Sequence, residues 1–440
     1  METINVDFSV KMGKIKPMHA VNNGPIVSRN VSNEHLFKEA GIPYIRNHDA
    51  AFCANYGGSH TVDIPAIFPN FDADVNDVNS YDFTLTDMYL QRNQNTGAQN
   101  FYRLGVKIEH EIKKYGTIPP KDFNKWAQIC EHIIRHYNEG WADGFNMRIE
   151  YWEIWNEPDL HKECWQGTDE QYFELYETTA KRLKKCFTKI KVGGPVVSSP
   201  HKVEFMENFL KYISERKAPL DFFSWHRYEK DPKIYAQKAQ IIDELLKKYG
   251  YADAESVLDE WNYVRDWLGE DIIYSYNTIM SLKGASFVSA AMCVCQKSPI
   301  DMLMYYDARP CAFNGMFKAY TYEPLKGYYP FFMFNKLYEL STEVESNASC
   351  DDIYVCAAAD EENGAIMLTY YDEEKESGSK SIKIDINGFN AENGVKAEFF
   401  ALDEENNAEL VKEEIFSAAQ FSCAARLKLY TTMLIKLSKI

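Results

Sequence analysis

Ile149-Glu150-Tyr151-Trp152-Glu153-Ile154-Trp155-Asn156-Glu157-Pro158 is the stretch on which the fold turns. Apolar and aromatic side chains dominate it as far as Trp155, as in a buried strand, and Pro158 then bars the chain from continuing in a ladder. Asn156 and Glu157 are left at the strand's C-terminal end. Asn-Glu-Pro is also a passable helix start, so the neighbouring sequence has to decide what the triplet does.

That neighbourhood repeats one grammar. Short apolar runs at 16–21, 44–47, 102–108, 149–154, 191–196, 221–225, 256–259 and 302–306 read as strands, and amphipathic stretches at 120–137, 169–189, 203–216, 232–249 and 272–280 read as helices between them. The alternation predicts an α/β fold, a (β/α)8 TIM barrel over residues 13–340, with functional groups at the C-terminal ends of its strands. An open doubly wound sheet would announce a phosphate site by a glycine-rich turn opening a helix. Here the double glycine that follows a strand is Gly193-Gly194-Pro195, where proline blocks that helix entry. The aromatic-rich 327–339 segment closes the barrel as its last helix.

Beyond residue 340 the pattern changes to strands without helices, at 353–358, 365–371, 381–386, 396–402 and 430–437. Asn363-Gly364, Ser377-Gly378 and Asn387-Gly388 read as hairpin turns. A C-terminal antiparallel β-sandwich is predicted for 341–440. The strand-like 4–10 segment has no helix after it, so residues 1–12 are expected to cross over and join the sandwich.

Composition narrows the function. Of 440 residues, 45% are hydrophobic and 26% charged, the balance of a folded chain. Lys and Arg total 48 against 65 Asp and Glu, a net charge of −17, the wrong sign for gripping nucleic-acid phosphates. The ten cysteines, Cys53 and Cys293-Val294-Cys295 among them, lack metal-ligand spacing and read as reduced thiols. No signal-peptide core opens the chain and no window approaches 18 continuous apolar residues. The expectation is a cytoplasmic protein with no membrane and no nucleic-acid partner.

A second strand-end acid lies 103 residues after Glu157, in Val257-Leu258-Asp259-Glu260-Trp261-Asn262. The gap is about three βα units, which sets Glu157 on barrel strand four and Glu260 on strand seven, facing each other across the mouth. Two carboxylates meeting there are what retaining glycoside hydrolysis needs: one acid/base and one nucleophile, about 5–5.5 Å apart. Other strand ends add groups for sugar hydroxyls: Arg46-Asn47-His48-Asp49, His226-Arg227-Tyr228 and Tyr305-Tyr306-Asp307, besides Trp261 next to the second acid. An Arg and a Tyr near the nucleophile would hold it ionised.

Three other patterns point elsewhere with less force. His132 and His136 are spaced as zinc ligands, but Ile133 stands where the catalytic motif needs Glu. Lys181-Arg182-Leu183-Lys184-Lys185 reads as a solvated helix face. Ser198 and Ser199 lack a nucleophile elbow. No metal and no organic cofactor are expected.

The ordered set Pro119-Pro120-Lys121-Asp122-Phe123-Asn124-Lys125-Trp126, Trp155-Asn156-Glu157-Pro158-Asp159-Leu160, Tyr172-Phe173-Glu174-Leu175-Tyr176, Val192-Gly193-Gly194-Pro195, Asp221 through Tyr228 and Glu260-Trp261-Asn262 resembles glycoside hydrolase family 39. This family of retaining (β/α)8 hydrolases includes β-xylosidases and α-L-iduronidases. The resemblance implies Glu157 as acid/base, Glu260 as nucleophile, Asn156 on the sugar 2-hydroxyl, His226 and Tyr228 as the His-x-Tyr beside the nucleophile, and Trp165 as an aromatic for a sugar face. It departs from the β-xylosidase pattern at Tyr305-Tyr306-Asp307-Ala308-Arg309-Pro310, where a Trp is expected, and over the 60–81 loop. The sequence therefore predicts an exo-acting, β-xylosidase-like enzyme on an oligosaccharide or glycoside, with homo-oligomerisation possible. Its rivals are an α-L-iduronidase-like or arabinoside-cleaving specificity, or a catalytically silent carbohydrate-binding barrel.

Overall fold

The computed structural model describes residues 1–27, 31–49, 60–109, 112–389, 393–417 and 420–440. The chain opens with strand β1 (Glu2–Lys14) and enters a closed barrel of eight parallel strands: β2 (Ala20–Asn22), β3 (Tyr44–Arg46), β4 (Gln99–Leu104), β5 (Tyr151–Ile154), β6 (Lys191–Val197), β7 (Phe222–Glu229), β8 (Glu255–Tyr263) and β9 (Met302–Tyr305). Each of the eight overlaps a run read as a strand from sequence, though β2 starts four residues later than the run at 16–21 and β4 three residues earlier than the run at 102–108. Among the helices, Asp169–Cys186 starts on a full capping box: Thr168 accepts from the Gln171 amide while the Gln171 side chain accepts from the Thr168 amide. Phe123–Glu139 begins on the Asp122 side chain and ends at Gly140, whose φ of 75° only glycine adopts without strain.

The helix Leu282–Gln296 was not apparent from sequence. Its residues are buried nearly all round, between the barrel and the C-terminal strands, so it has no polar stripe to give it a period. Ser286 and Ser289 on this helix hydrogen-bond Thr369 and Thr432 at 2.8 and 3.0 Å. No single helix among the described residues is long and apolar enough to cross a membrane.

Eight more strands follow the barrel: β10 (Thr342–Ala348), β11 (Ile353–Ala359), β12 (Asn363–Tyr370), β13 (Ser379–Asn387), β14 (Val395–Leu402), β15 (Asn407–Phe416), β16 (Phe421–Lys428) and β17 (Thr432–Lys439). With β1 they hydrogen-bond in the order β15-β14-β17-β12-β11-β10-β1-β13-β16. This sheet curls over one apolar core that takes Ile4 and Val6 from β1, Leu368 from β12, Ile384 from β13 and Phe399 from β14, and it forms the β-sandwich. It is mixed, because β1 runs parallel to β13 while pairing antiparallel with β10. The sequence reading of the turns needs correction. Ser377-Gly378 and Asn387-Gly388 join strands that are not neighbours in the sheet, and Asn363-Gly364 already belongs to β12. The tight turn is closed one step earlier, by the Asp360 side chain accepting from the Asn363 amide.

Inside the barrel the side chains stack in layers. Ala20, Phe101, Tyr151, Phe222, Val257, Met302 and Met304 form an apolar floor at the N-terminal end. Gly193 is required beside it, since a Cβ there would stand 2.3 Å from the Phe222 carbonyl oxygen and 2.5 Å from its ring. Gly193→Ala is expected to destabilise the fold by about 1–3 kcal/mol, measured as a lowered denaturant midpoint with unchanged slope.

Candidate active site

Above the apolar floor lies a layer of buried charge centred on Arg46, whose side chain has no solvent exposure. Its Nε donates to Glu153 Oε2 at 2.8 Å and lies 3.2 Å from Asp259 Oδ2. Nη1 donates to Glu260 Oε1 at 2.8 Å and to Asn22 Oδ1 at 3.1 Å, and Nη2 donates to Asn156 Oδ1 at 2.8 Å. Burial alone would lower the guanidinium's pKa; the three carboxylates reverse this and hold it charged. Burial and the neighbouring Asp259 push the Glu153 pKa upward, and the Arg46 charge opposes them.

A register shift arms the next layer. Trp225 of β7 pairs with Leu258 of β8, but His226 pairs with Glu260, so β8 carries one extra residue. Asp259 and Glu260 therefore both face inward, Asp259 to the charged layer and Glu260 to the mouth. Tyr228 donates its hydroxyl to Glu260 Oε2 at 2.9 Å. Burial pushes Glu260 up to about 7, helped by the charges of Glu157 and Asp259 and opposed by His226 and Arg46.

Glu157 sits just beyond β5 with φ of 45°, two residues after Trp155 at 76°. Left-handed conformations at such side chains cost about 1–3 kcal/mol. They are fixed by amide bonds from Glu157 to Val196 at 3.0 Å and from Trp155 to Leu104 at 2.7 Å. His226 Nδ1 donates to Glu157 Oε1 at 2.8 Å and stands 3.5 Å from Glu260 Oε2. Burial would neutralise this imidazole, but Glu260, Asp259 and Glu157 hold it protonated. The Cys164 thiol, kept protonated by burial and by Glu157, lies 3.6 Å from Glu157 Oε2.

Neutral His48, its pKa lowered by burial, accepts from Arg103 Nε on Nδ1. Its proton is thereby placed on Nε2, which lies 3.8 Å from both Glu260 and Asp49. Asp49, against burial, is held ionised by the Arg309 guanidinium and the Tyr306 hydroxyl, which donates at 2.7 Å. Asp307 sits behind this group, accepting from Asn23 at 2.9 Å, and burial pushes it up to about 6.

Of the residues read from sequence, Arg46, His48, Asn156, Glu157, His226, Tyr228 and Glu260 thus come together at one mouth. Three aromatics do not. Trp261 is fully buried against Tyr235, Phe287 and Tyr305, because the residue after an inward-facing Glu260 points out to the helices. Tyr305 is buried against Phe331 for the same reason. Trp165 has no exposure and packs edge-on to Trp155, with its indole N–H on the Thr168 carbonyl, so it offers no face to a sugar. Glu153 and Asp259 were missed as members of the site. Glu153 carries the clearest signal, a charge in the middle of an apolar strand.

Glu157, His226 and Glu260 present an oxygen, a nitrogen and an oxygen within 4.8 Å of one another. These atom types also bind divalent cations, yet a guanidinium and an imidazolium already supply positive charge here, which suits a proton-sharing pair of acids better than a metal ion. His132 and His136 hold no metal set: they bond the Gln128 carbonyl, and the Trp141 carbonyl with Asp87. Cys53 lies outside the described residues, and the other cysteines are free thiols.

Residues 37–266, half of the chain, match the model of glycosyl hydrolases family 39. The chain belongs to this family. Similar curated proteins are a β-xylosidase of Caldicellulosiruptor saccharolyticus, 27% identical over 243 residues (52% of this chain, 46% of that one), and a β-xylosidase of Geobacillus stearothermophilus, 35% identical over 115 residues (26% and 22%). The matched stretches span less than half the length of either relative. Among solved structures, a glucosidase from Croceicoccus marinus superposes with a TM-score of 0.82 at 20% identity, covering 100% of this chain and 99% of that one. A monomeric β-xylosidase from Caulobacter crescentus CB15 gives 0.73 at 15%, covering 100% of both. These structures share the barrel and sandwich.

Removing the Arg46 cation strands three carboxylates. Arg46→Met is expected to cost about 3–5 kcal/mol of stability. The loss should grow as pH rises from 5 to 8, because stranded buried acids have folded pKa values above their unfolded ones and lose their stabilising proton on the way up. Chemical denaturation at the two pH values checks both the size and the sign.

Proposed function

We propose that the chain is a retaining, exo-acting glycosidase of β-xylosidase type, with Glu157 as acid/base and Glu260 as nucleophile. The observation that carries this reading is the convergence of their carboxylate oxygens, with His226, within 4.8 Å. Retaining enzymes hold the two carboxyl groups about 5–5.5 Å apart, whereas inverting ones leave about 6.5–9.5 Å for a water.

In the first step Glu157 donates its proton to the glycosidic oxygen while ionised Glu260 attacks the anomeric carbon. The bond to the leaving group breaks and a glycosyl ester on Glu260 forms. In the second step Glu157 takes a proton from water, whose oxygen attacks the same carbon and frees Glu260. Arg46 and the Tyr228 hydroxyl stabilise the carboxylate that leaves. Asn156, its Oδ1 held by Arg46, keeps its Nδ2 for the sugar 2-hydroxyl.

The arginines favour a neutral sugar over a uronic acid. Arg46 is committed to Glu153, Asp259 and Glu260, and Arg309 lies 3.3 Å from both Asp49 and Asp307, so neither has charge to spare for a substrate carboxylate.

Aryl β-xyloside, α-L-arabinoside, β-glucoside and α-L-iduronide, offered to wild type, Glu157→Ala and Glu260→Ala, test the reading. Wild type should release aryl alcohol from the β-xyloside, with the sugar's anomeric configuration retained in the first product seen by NMR. Glu260→Ala should lose turnover, and Glu157→Ala should lose about 10²–10⁴-fold on a poor leaving group, with recovery in azide. An inverted product, or turnover surviving in Glu260→Ala, contradicts the mechanism; silence across the panel favours a binding-only barrel.

The first step needs Glu260 ionised. Burial pushes Glu260 up to about 7, so it takes up a proton and stops acting as a nucleophile as pH falls through neutrality. The acidic limb of the kcat/KM profile is therefore expected near pH 7, and a profile flat from pH 7 down to pH 4 would count against the assignment.

A further inference from the structure

Beyond the reacting pair, a run of aromatic rings leads out of the mouth. Tyr306, whose hydroxyl holds Asp49, has its ring 5.8 Å from Phe313 and 6.4 Å from Tyr228. Tyr228, bonded to Glu260, lies 5.7 Å from Phe313 and edge-on to Trp267 at 5.1 Å and 77°. Trp267 completes the corner, 5.9 Å from Phe313. Tyr306, Tyr228 and Phe313 are half-buried, but Trp267 is 53% exposed, unusual for a residue type that proteins bury more than most.

This corner is built rigidly. Asn262, on the strand that carries Glu260, donates to the Tyr306 and Phe313 carbonyls at 2.6 and 2.8 Å, fixing the loop after β9. The loop that carries Trp267 is tied at both sides of it, by Arg265 N–H to Ser275 Oγ at 2.9 Å and by Leu268 N–H to Asp266 Oδ1 at 3.2 Å. An indole held at a site's rim by a preorganised loop offers contact area at little entropic cost.

We propose that Trp267, with Phe313 and the edge of Tyr228, forms a leaving-group subsite for flat apolar aglycones, so that the natural substrates are glycosides of phenols or similar aromatic alcohols. This rests on the hydrolase reading above. The terminal sugar occupies the deep polar pocket around Asn156, His48 and Glu260. The rest of the substrate must leave by the rim, and the rim on this side is a half-open aromatic corner. Ring-on-ring packing rewards a flat aromatic group there more than a hydrated sugar.

The test uses two glycosides of whichever sugar the aryl panel identifies, one carrying a 2-naphthyl group and one a methyl group. The readout is the ratio of their kcat/KM values. Trp267→Ala is expected to lower the naphthyl-to-methyl ratio about tenfold, chiefly through KM, and Trp267→Phe to restore most of it. Circular dichroism and the methyl glycoside itself report whether the variants fold. A ratio unchanged in Trp267→Ala, with methyl glycoside turnover intact, overturns the subsite while leaving the hydrolase reading in place. No turnover of any glycoside by wild type overturns both.

Discussion

One buried guanidinium underlies the structure of this site. Arg46 has no exposure, and within hydrogen-bond or ion-pair reach it has Glu153, Asp259, Glu260, Asn22 and Asn156. Taking so much charge out of water is expensive, and the arrangement persists only because each ion has a partner. What results is orientation: the same cation fixes one oxygen of the proposed nucleophile and the amide that faces the proposed 2-hydroxyl.

The barrel makes this possible by sorting side chains into layers. The apolar floor packs the N-terminal end, so the charged layer rests on buried apolar side chains. The charged layer in turn supports Glu157, Glu260 and His226, whose hydrogen bonds leave them little freedom. Burial that raises Glu260 is counterbalanced by the charges beneath and beside it, which brings its protonation into the neutral range, where general acid and nucleophile roles can be divided between two carboxyl groups.

Much of this was legible in the sequence because barrel strands announce themselves as short apolar runs. The pairing of Glu157 with Glu260 followed from their spacing alone. The bulge in β8 was not legible: strict alternation would turn either Asp259 or Glu260 to the outside, and only pairing with β7 shows both facing in. The misplaced aromatics have the opposite cause. Trp261 and Tyr305 stand next to inward-facing positions, and the period of two sends them outward, which the sequence pattern already implies. Trp267 escaped notice because it lies in a loop, where no periodicity marks which side faces the mouth. The family resemblance reached the barrel but not the corner this residue forms, since that depends on where the β8 and β9 loops meet.

The division of labour between the two carboxylates is the central claim, and trapping the covalent intermediate tests it most directly. Wild type would be incubated with the activated 2-deoxy-2-fluoro analogue of the sugar it cleaves, digested, and analysed by mass spectrometry. The account predicts one fluoroglycosyl group, attached to the peptide containing Glu260. A label on Glu157 instead, or stoichiometric release of inverted sugar with no adduct, would contradict it.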